Sequence, residues 1–139
     1  MRIFLVASMN FYPKLIEVQS QLIDIGHEVE IPISAKMMVD AGSFDPSSFK
    51  GSYTNQQKKD FFRNNLDRMK GCDAILIINE EKNGIAGYIG TSVIMEIGIA
   101  FYLNKKIYLW NPMSSDAAYK PEVDAFEAII INQDFSQIV

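Results

Sequence analysis

Three uninterrupted apolar runs constrain this chain more than anything else in it. Ile3-Phe4-Leu5-Val6-Ala7, Ala74-Ile75-Leu76-Ile77-Ile78 and Ile107-Tyr108-Leu109-Trp110 show no polar alternation. A strand with one wet face alternates, so these runs suit strands covered on both faces, as in a parallel sheet between helical layers. Helical patterns fill the gaps. After Pro13, Leu15, Val18, Leu22 and Ile25 recur at three to four residues until Gly26. Phe61, Phe62, Leu66 and Met69 stripe a second helix over Gln56–Met69, and a third runs from Thr91 to Leu103. Val29, Ile31 and Ile33 alternate around Pro32 and predict a short edge strand. A short helix near Glu122–Phe126 and a strand at Ala128–Ile131 end the pattern. The chain reads as one α/β domain over residues 1–139. It is a flavodoxin-like (Rossmann-like) three-layer fold with a five-stranded parallel sheet in order 2-1-3-4-5. Residues 34–55 lack a clear period and read either as a lid or binding loop, or as a surface insertion with a short helix at Ala35–Val39.

Composition narrows the function. With 48% hydrophobic residues the chain is not disordered, and a net charge of −4 with scattered Lys and Arg disfavours nucleic acid or a membrane surface. Lys58-Lys59, the one short basic cluster, lies beside Asp60. A single cysteine, Cys72, rules out an intramolecular disulfide and supplies no metal cluster. No apolar run reaches membrane-span length, and the N-terminal run is too short for a signal peptide. These features imply a cytoplasmic protein with no metal or cofactor.

Chemistry concentrates in residues 84–100. Gly84, Gly87 and Gly90 would let backbone approach a ligand, and the helix after them presents unpaired N–H groups behind a Gly90 or Thr91 cap. Glu96 lies one turn inside that otherwise apolar helix. The helix dipole favours its carboxylate while apolar neighbours oppose it, a balance suited to a nucleophile or base. Alternatively Glu96 accepts hydrogen bonds from the loop backbone and fixes the loop. The topology gathers Ser8, Asn10, Tyr88, Gly90, Thr91, Ser92 and Glu96 around one crevice at the ends of strands one and three. His27 and Cys72 read as surface and core residues. Trp110 could stack on a base or pack in the core, and Asp73 suits a cap or turn. The glycines match neither a phosphate-binding Walker loop nor a dinucleotide fingerprint.

Cys72-Asp73-Ala74-Ile75-Leu76-Ile77, Met95-Glu96-Ile97-Gly98-Ile99-Ala100 and Lys105-Lys106-Ile107-Tyr108-Leu109 resemble the nucleoside 2-deoxyribosyltransferase superfamily. One branch of that superfamily hydrolyses deoxynucleoside 5′-monophosphates. The resemblance implies that Glu96 attacks the anomeric carbon and displaces the base, as in a retaining glycosidase. It also places Asn65 where the family has an active-site Asp, with Asp67 as a possible substitute, and Phe4 where the family often has Tyr. Ser8 matches a phosphate-contacting Ser of the hydrolase branch, but Met9-Asn10-Phe11-Tyr12 replaces the Gly- and Arg-rich loop that should follow. The implied partner is a nucleoside, nucleotide or related ribosyl compound, with N-glycosidic transfer or hydrolysis as the reaction. A non-catalytic nucleotide or nucleoside sensor is the alternative. Family members often complete their pockets with a neighbouring subunit. Together with the aromatics of Phe44–Phe62, this implies a homo-oligomer.

Overall fold

In a computed structural model that describes residues 1–45 and 53–139, five strands form one parallel sheet in the order β2-β1-β3-β4-β5. The strands are β1 (Arg2–Ala7), β2 (Glu28–Glu30), β3 (Ala74–Ile78), β4 (Lys106–Leu109) and β5 (Ile129–Ile130). The helices are α1 (Tyr12–Asp24), α2 (Ile33–Ala41), α3 (Asn55–Lys70), α4 (Thr91–Tyr102) and α5 (Lys120–Ala125). The expected order and the expected parallel sheet are both present.

The continuous runs become the sheet centre. Every residue of β3 is buried, and β1 is buried from Ile3 onward. Alternate side chains divide between two cores. Ile3, Leu5, Leu76 and Tyr108 pack with α1 and α2, whereas Phe4, Val6, Ile75, Ile77 and Leu109 pack with α3, α4 and α5. Each fully buried aliphatic side chain contributes roughly 1.5–3 kcal/mol, so the two faces carry most of the fold's stability.

The edges depart from expectation. β2 stops at Glu30 because Pro32 lacks an N–H and takes φ −57° and ψ 145°, which caps α2 instead of extending the strand. Ile33 therefore opens a helix. α2 spans more than Ala35–Val39 and removes much of the loop expected over residues 34–55; residues 46–52 of that span lie outside the described residues. β5 is also shorter than Ala128–Ile131. The aromatics around Phe44–Phe62 do not form an unburied patch among the described residues. Phe44 packs on the α1-side core, and Phe61 and Phe62 are half-buried. Larger apolar exposure occurs on α4, where Met95 and Phe101 are about half exposed and Tyr102 more so. No described helix is long and apolar enough to cross a membrane.

Glu30, the last residue of β2, bonds both Arg2 (2.8 Å) and Arg68 (3.1 Å), while Asp73, just before β3, accepts the Arg2 N–H at 2.7 Å. Asp73 thus ties β3 to β1 at the amino ends of these two central strands, away from the crevice, in keeping with a turn role.

Candidate functional site

Two helical faces set the site. On α4, Val93, Glu96, Ile97 and Ala100 share the buried stripe, so the only acid of the helix points inward. On α3, Lys58, Phe61, Phe62 and Asn65 follow helical spacing and face the same space. A capping box fixes where α3 begins: Thr54 Oγ1 accepts the Gln57 N–H at 3.1 Å, and Gln57 Oε1 accepts the Thr54 N–H at 2.8 Å. The loop after β1 and the hairpin after β3 supply the remaining walls.

The result is a cavity of about 450 Å³, within the range of small-molecule sites. Ser8, Asn10, Tyr88, Gly90, Thr91, Ser92, Glu96 and Asn65 all line it. Asp67 does not. Two residues further along a helix turn a side chain by about 200°, and Asp67 is solvent-exposed and paired with Lys70 at 3.2 Å. It is no substitute for an acid at position 65.

Glu96 is only 4% exposed, and burial raises its carboxyl to about 7 against the opposing hydrogen bond from Asn65. Asn65 Nδ2 donates to Glu96 Oε1 at 3.3 Å, and its Oδ1 accepts the Ile33 N–H at 3.3 Å. The amide thereby joins α2, α3 and α4. No loop backbone N–H bonds to Glu96 among the described residues, so the carboxylate does not fix the glycine loop. Gly90 caps α4 with no side-chain cap bond, which leaves the first-turn N–H groups without such a partner.

The loop is held by a different residue. Asn79 is fully buried at the end of β3; its Oδ1 accepts the Asn111 N–H at 2.8 Å and its Nδ2 donates to the Asn111 carbonyl at 2.7 Å. Asn111 Nδ2 returns a bond to the Asn79 carbonyl at 3.1 Å. Gly87, at φ +59°, packs so closely that an added Cβ would collide with the Pro112 carbonyl. Its freedom therefore serves packing between loops. Gly90 has an ordinary φ of −80° and room for a Cβ, so it needs no glycine conformation.

Several lining residues carry signals that the sequence alone does not organise. Tyr12 is buried at the start of α1, its hydroxyl 2.6 Å from Ser34 Oγ, and burial pushes its phenol up to about 12. Lys82 Nζ sits 4.7 Å from the centre of the Tyr88 ring, which also meets Phe11 edge-on at 6.3 Å. Phe4 is wholly buried in the α4-side core and does not line the cavity. Trp110 is buried, donates to Glu80 at 2.9 Å and packs near Phe135, so it is a core residue. Cys72 is buried, with its thiol pushed up to about 11 by burial; His27 is half-buried beyond α1. No cluster of metal-ligating side chains occurs among the described residues.

The fold is shared with solved glycosyl-handling proteins. A CMP N-glycosidase of Clostridium botulinum, BcmB, is 19% identical, with a TM-score of 0.54 over 95% of this chain and 90% of that one. A 2-deoxyribosyltransferase from the psychrotolerant bacterium Bacillus psychrosaccharolyticus is 18% identical, with a TM-score of 0.53 over 78% of this chain and 71% of that one. No curated protein sequence matches the chain. The family profile of nucleoside 2-deoxyribosyltransferases matches residues 3–133. A match across nearly the whole chain, on a sheet of the expected order, makes this protein a member of the nucleoside 2-deoxyribosyltransferase family.

Proposed function

We propose that the protein cleaves the N-glycosidic bond of a nucleoside or nucleotide, with Glu96 as the nucleophile, and passes the glycosyl group to water or to a second base. The observation that carries this reading is a buried carboxylate inside a ligand-sized cavity, accepting a hydrogen bond from the Asn65 amide N–H. A carboxylate oxygen would attack C1′ as the C1′–N bond breaks, the bonding pair leaving with the base. The glycosyl ester would then be released by water or an incoming base, as in retaining glycosidases. The carboxyl at about 7 leaves roughly half of the molecules ionised at neutral pH. Asn65 holds the acceptor in place and stabilises its charged form, but it has no proton to give a departing base.

That last point favours a second reading, a nucleotide or nucleoside sensor that binds without turnover. Incubation with 2-deoxy-2-fluoro nucleosides and nucleotides separates the two, because fluorine destabilises the oxocarbenium state and slows release of the ester. A mass increase equal to the fluorosugar, absent in Glu96→Gln, supports the enzyme. Ligand-dependent thermal stabilisation with no adduct and no free base supports the sensor. We also propose a homo-oligomer, now on the exposed Met95, Phe101 and Tyr102 of α4; a monomeric mass by light scattering would overturn it.

A further inference from the structure

Glu96 accepts one hydrogen bond among the described residues, from Asn65 Nδ2. What the carboxylate meets there depends on which end of the amide faces it. The two ends of an asparagine amide have nearly the same shape, but one only donates and the other only accepts. The choice between them is made by α2. Asn65 Oδ1 accepts the Ile33 N–H at 3.3 Å, and a backbone N–H can only donate. With Oδ1 held there, Nδ2 is left for Glu96. A reversed amide would set Oδ1 against Glu96 Oε1, a contact that is favourable only after the carboxylate takes up a proton.

Ile33 is the first residue of α2, a position whose N–H has no partner within the helix. Its place is fixed from two sides. On the α3 side, Arg68 Nη1 donates to the Ile31 carbonyl at 3.3 Å. On the α1 side, the Tyr12 hydroxyl and Ser34 Oγ share a hydrogen bond at 2.6 Å, and both side chains are buried. Pro32, next to Ile33, has no N–H that could take over its bond. Contacts thus run from Tyr12 on α1, through Ser34 and Ile33 on α2 and Asn65 on α3, to Glu96 on α4.

We propose that Tyr12, Ser34 and the Ile33 N–H are positioning groups for Glu96: the hydroxyl pair pins the first turn of α2, and that turn makes Asn65 present its N–H to the carboxylate. The consequence for catalysis rests on the glycoside reading, because a carboxyl nucleophile must be ionised to attack. Burial already pushes the Glu96 carboxyl up to about 7, so losing its one donor would leave most molecules protonated at neutral pH. The other titratable side chains on the cavity wall are Tyr12 on α1, Tyr53 before α3, Lys58 on α3, and Lys82 and Tyr88 after β3. Changes at Ile33 and Ser34 leave all five in place.

Carbon-detected NMR titration of the Glu96 carboxyl tests this in three single variants. Ile33→Pro removes the N–H donor; proline suits a first helical position, and Pro32 before it already has the ψ of 145° that a following proline requires. Ser34→Ala and Tyr12→Phe each remove one end of the hydroxyl bond. Each variant should raise the Glu96 midpoint by about half a pH unit or more. Ser34→Thr, which keeps a hydroxyl, should leave the midpoint where it was. In an Asn65→Leu background the three changes should shift nothing further, because the contact through which they act is gone. Met38→Ala, which opens the core side of α2, should lower stability without moving the midpoint. Midpoints unchanged in all three single variants, or shifts that persist in Asn65→Leu, would overturn the positioning. The titration needs no substrate, so a missing fluorosugar adduct would defeat the enzyme reading and leave the positioning standing.

Discussion

Replacing Glu96 with Gln should stabilise the protein at alkaline pH and leave it unchanged or up to about 2 kcal/mol less stable in acid, where only the cost of the new N–H donors remains. The carboxyl titrates near 4.5 when exposed and near 7 when buried on α4. Below pH 4.5 both folded and unfolded chains hold the proton, so the group is neutral in each. Between 4.5 and 7 the unfolded chain releases the proton first, so the native state binds more protons and stability falls as pH rises. Above 7 the loss is complete. At about 1.4 kcal/mol per pH unit between the two midpoints, it amounts to about 3 kcal/mol. Gln matches the shape, can still accept from Asn65 Nδ2 and has no charge to desolvate. Its new N–H donors need water from the cavity, which reduces the gain to about 1–3 kcal/mol at pH 8. Urea unfolding of both proteins at pH 4, 6 and 8 gives the test, because titrations common to both cancel in the difference. Stability differences that stay constant from pH 4 to 8 would refute the reasoning, as would a less stable Gln variant at pH 8.

Any turnover that uses Glu96 as a nucleophile should rise with pH through a midpoint near 7 in kcat/KM; a flat profile from pH 5 to 8 would remove Glu96 from that role. Asn65→Leu removes the donation to Glu96 and the acceptor for the Ile33 N–H, so it should cost about 1–2 kcal/mol in urea unfolding. The same variant should move the Glu96 carboxyl titration upward by carbon-detected NMR, whereas a purely structural Asn65 would leave it in place. Gly87→Ala should lower stability by at least about 2 kcal/mol, through both the left-handed φ and the contact with Pro112, and thermal melting would reveal it. Asn79→Ala should cost about 2–4 kcal/mol and speed amide exchange across residues 80–90, with little change in β1.

The sheet was legible because its central strands are buried on both faces and therefore read as unbroken apolar runs. Glu96 stood out because a carboxylate at one position of an apolar helical stripe has no packing purpose. Legibility failed wherever a residue's meaning depends on tertiary partners. Pro32 reads as an edge-strand proline until its backbone is seen to cap α2. Asn79 and Asn111 are 32 residues apart and Tyr12 and Ser34 are 22, so nothing local announces either pair. Lys58 looked balanced by Asp60 in sequence, but Asp60 turns to Gln56. Asp67 looked close to Asn65 in sequence, and helical rotation sends it to solvent.

The Asn79–Asn111 clamp bears on how such a site can diversify. It hangs the loops after β3 and β4 from the sheet through amide-to-backbone bonds that involve none of the cavity's own side chains. Ser8, Asn10, Thr91 and Ser92 line the cavity and make no side-chain hydrogen bond among the described residues. Exchanging them alters what the wall offers a ligand while the scaffold keeps its bonds. Ligand preference can therefore drift, or be engineered, at those four positions with little loss of stability, whereas Asn79 permits almost no exchange.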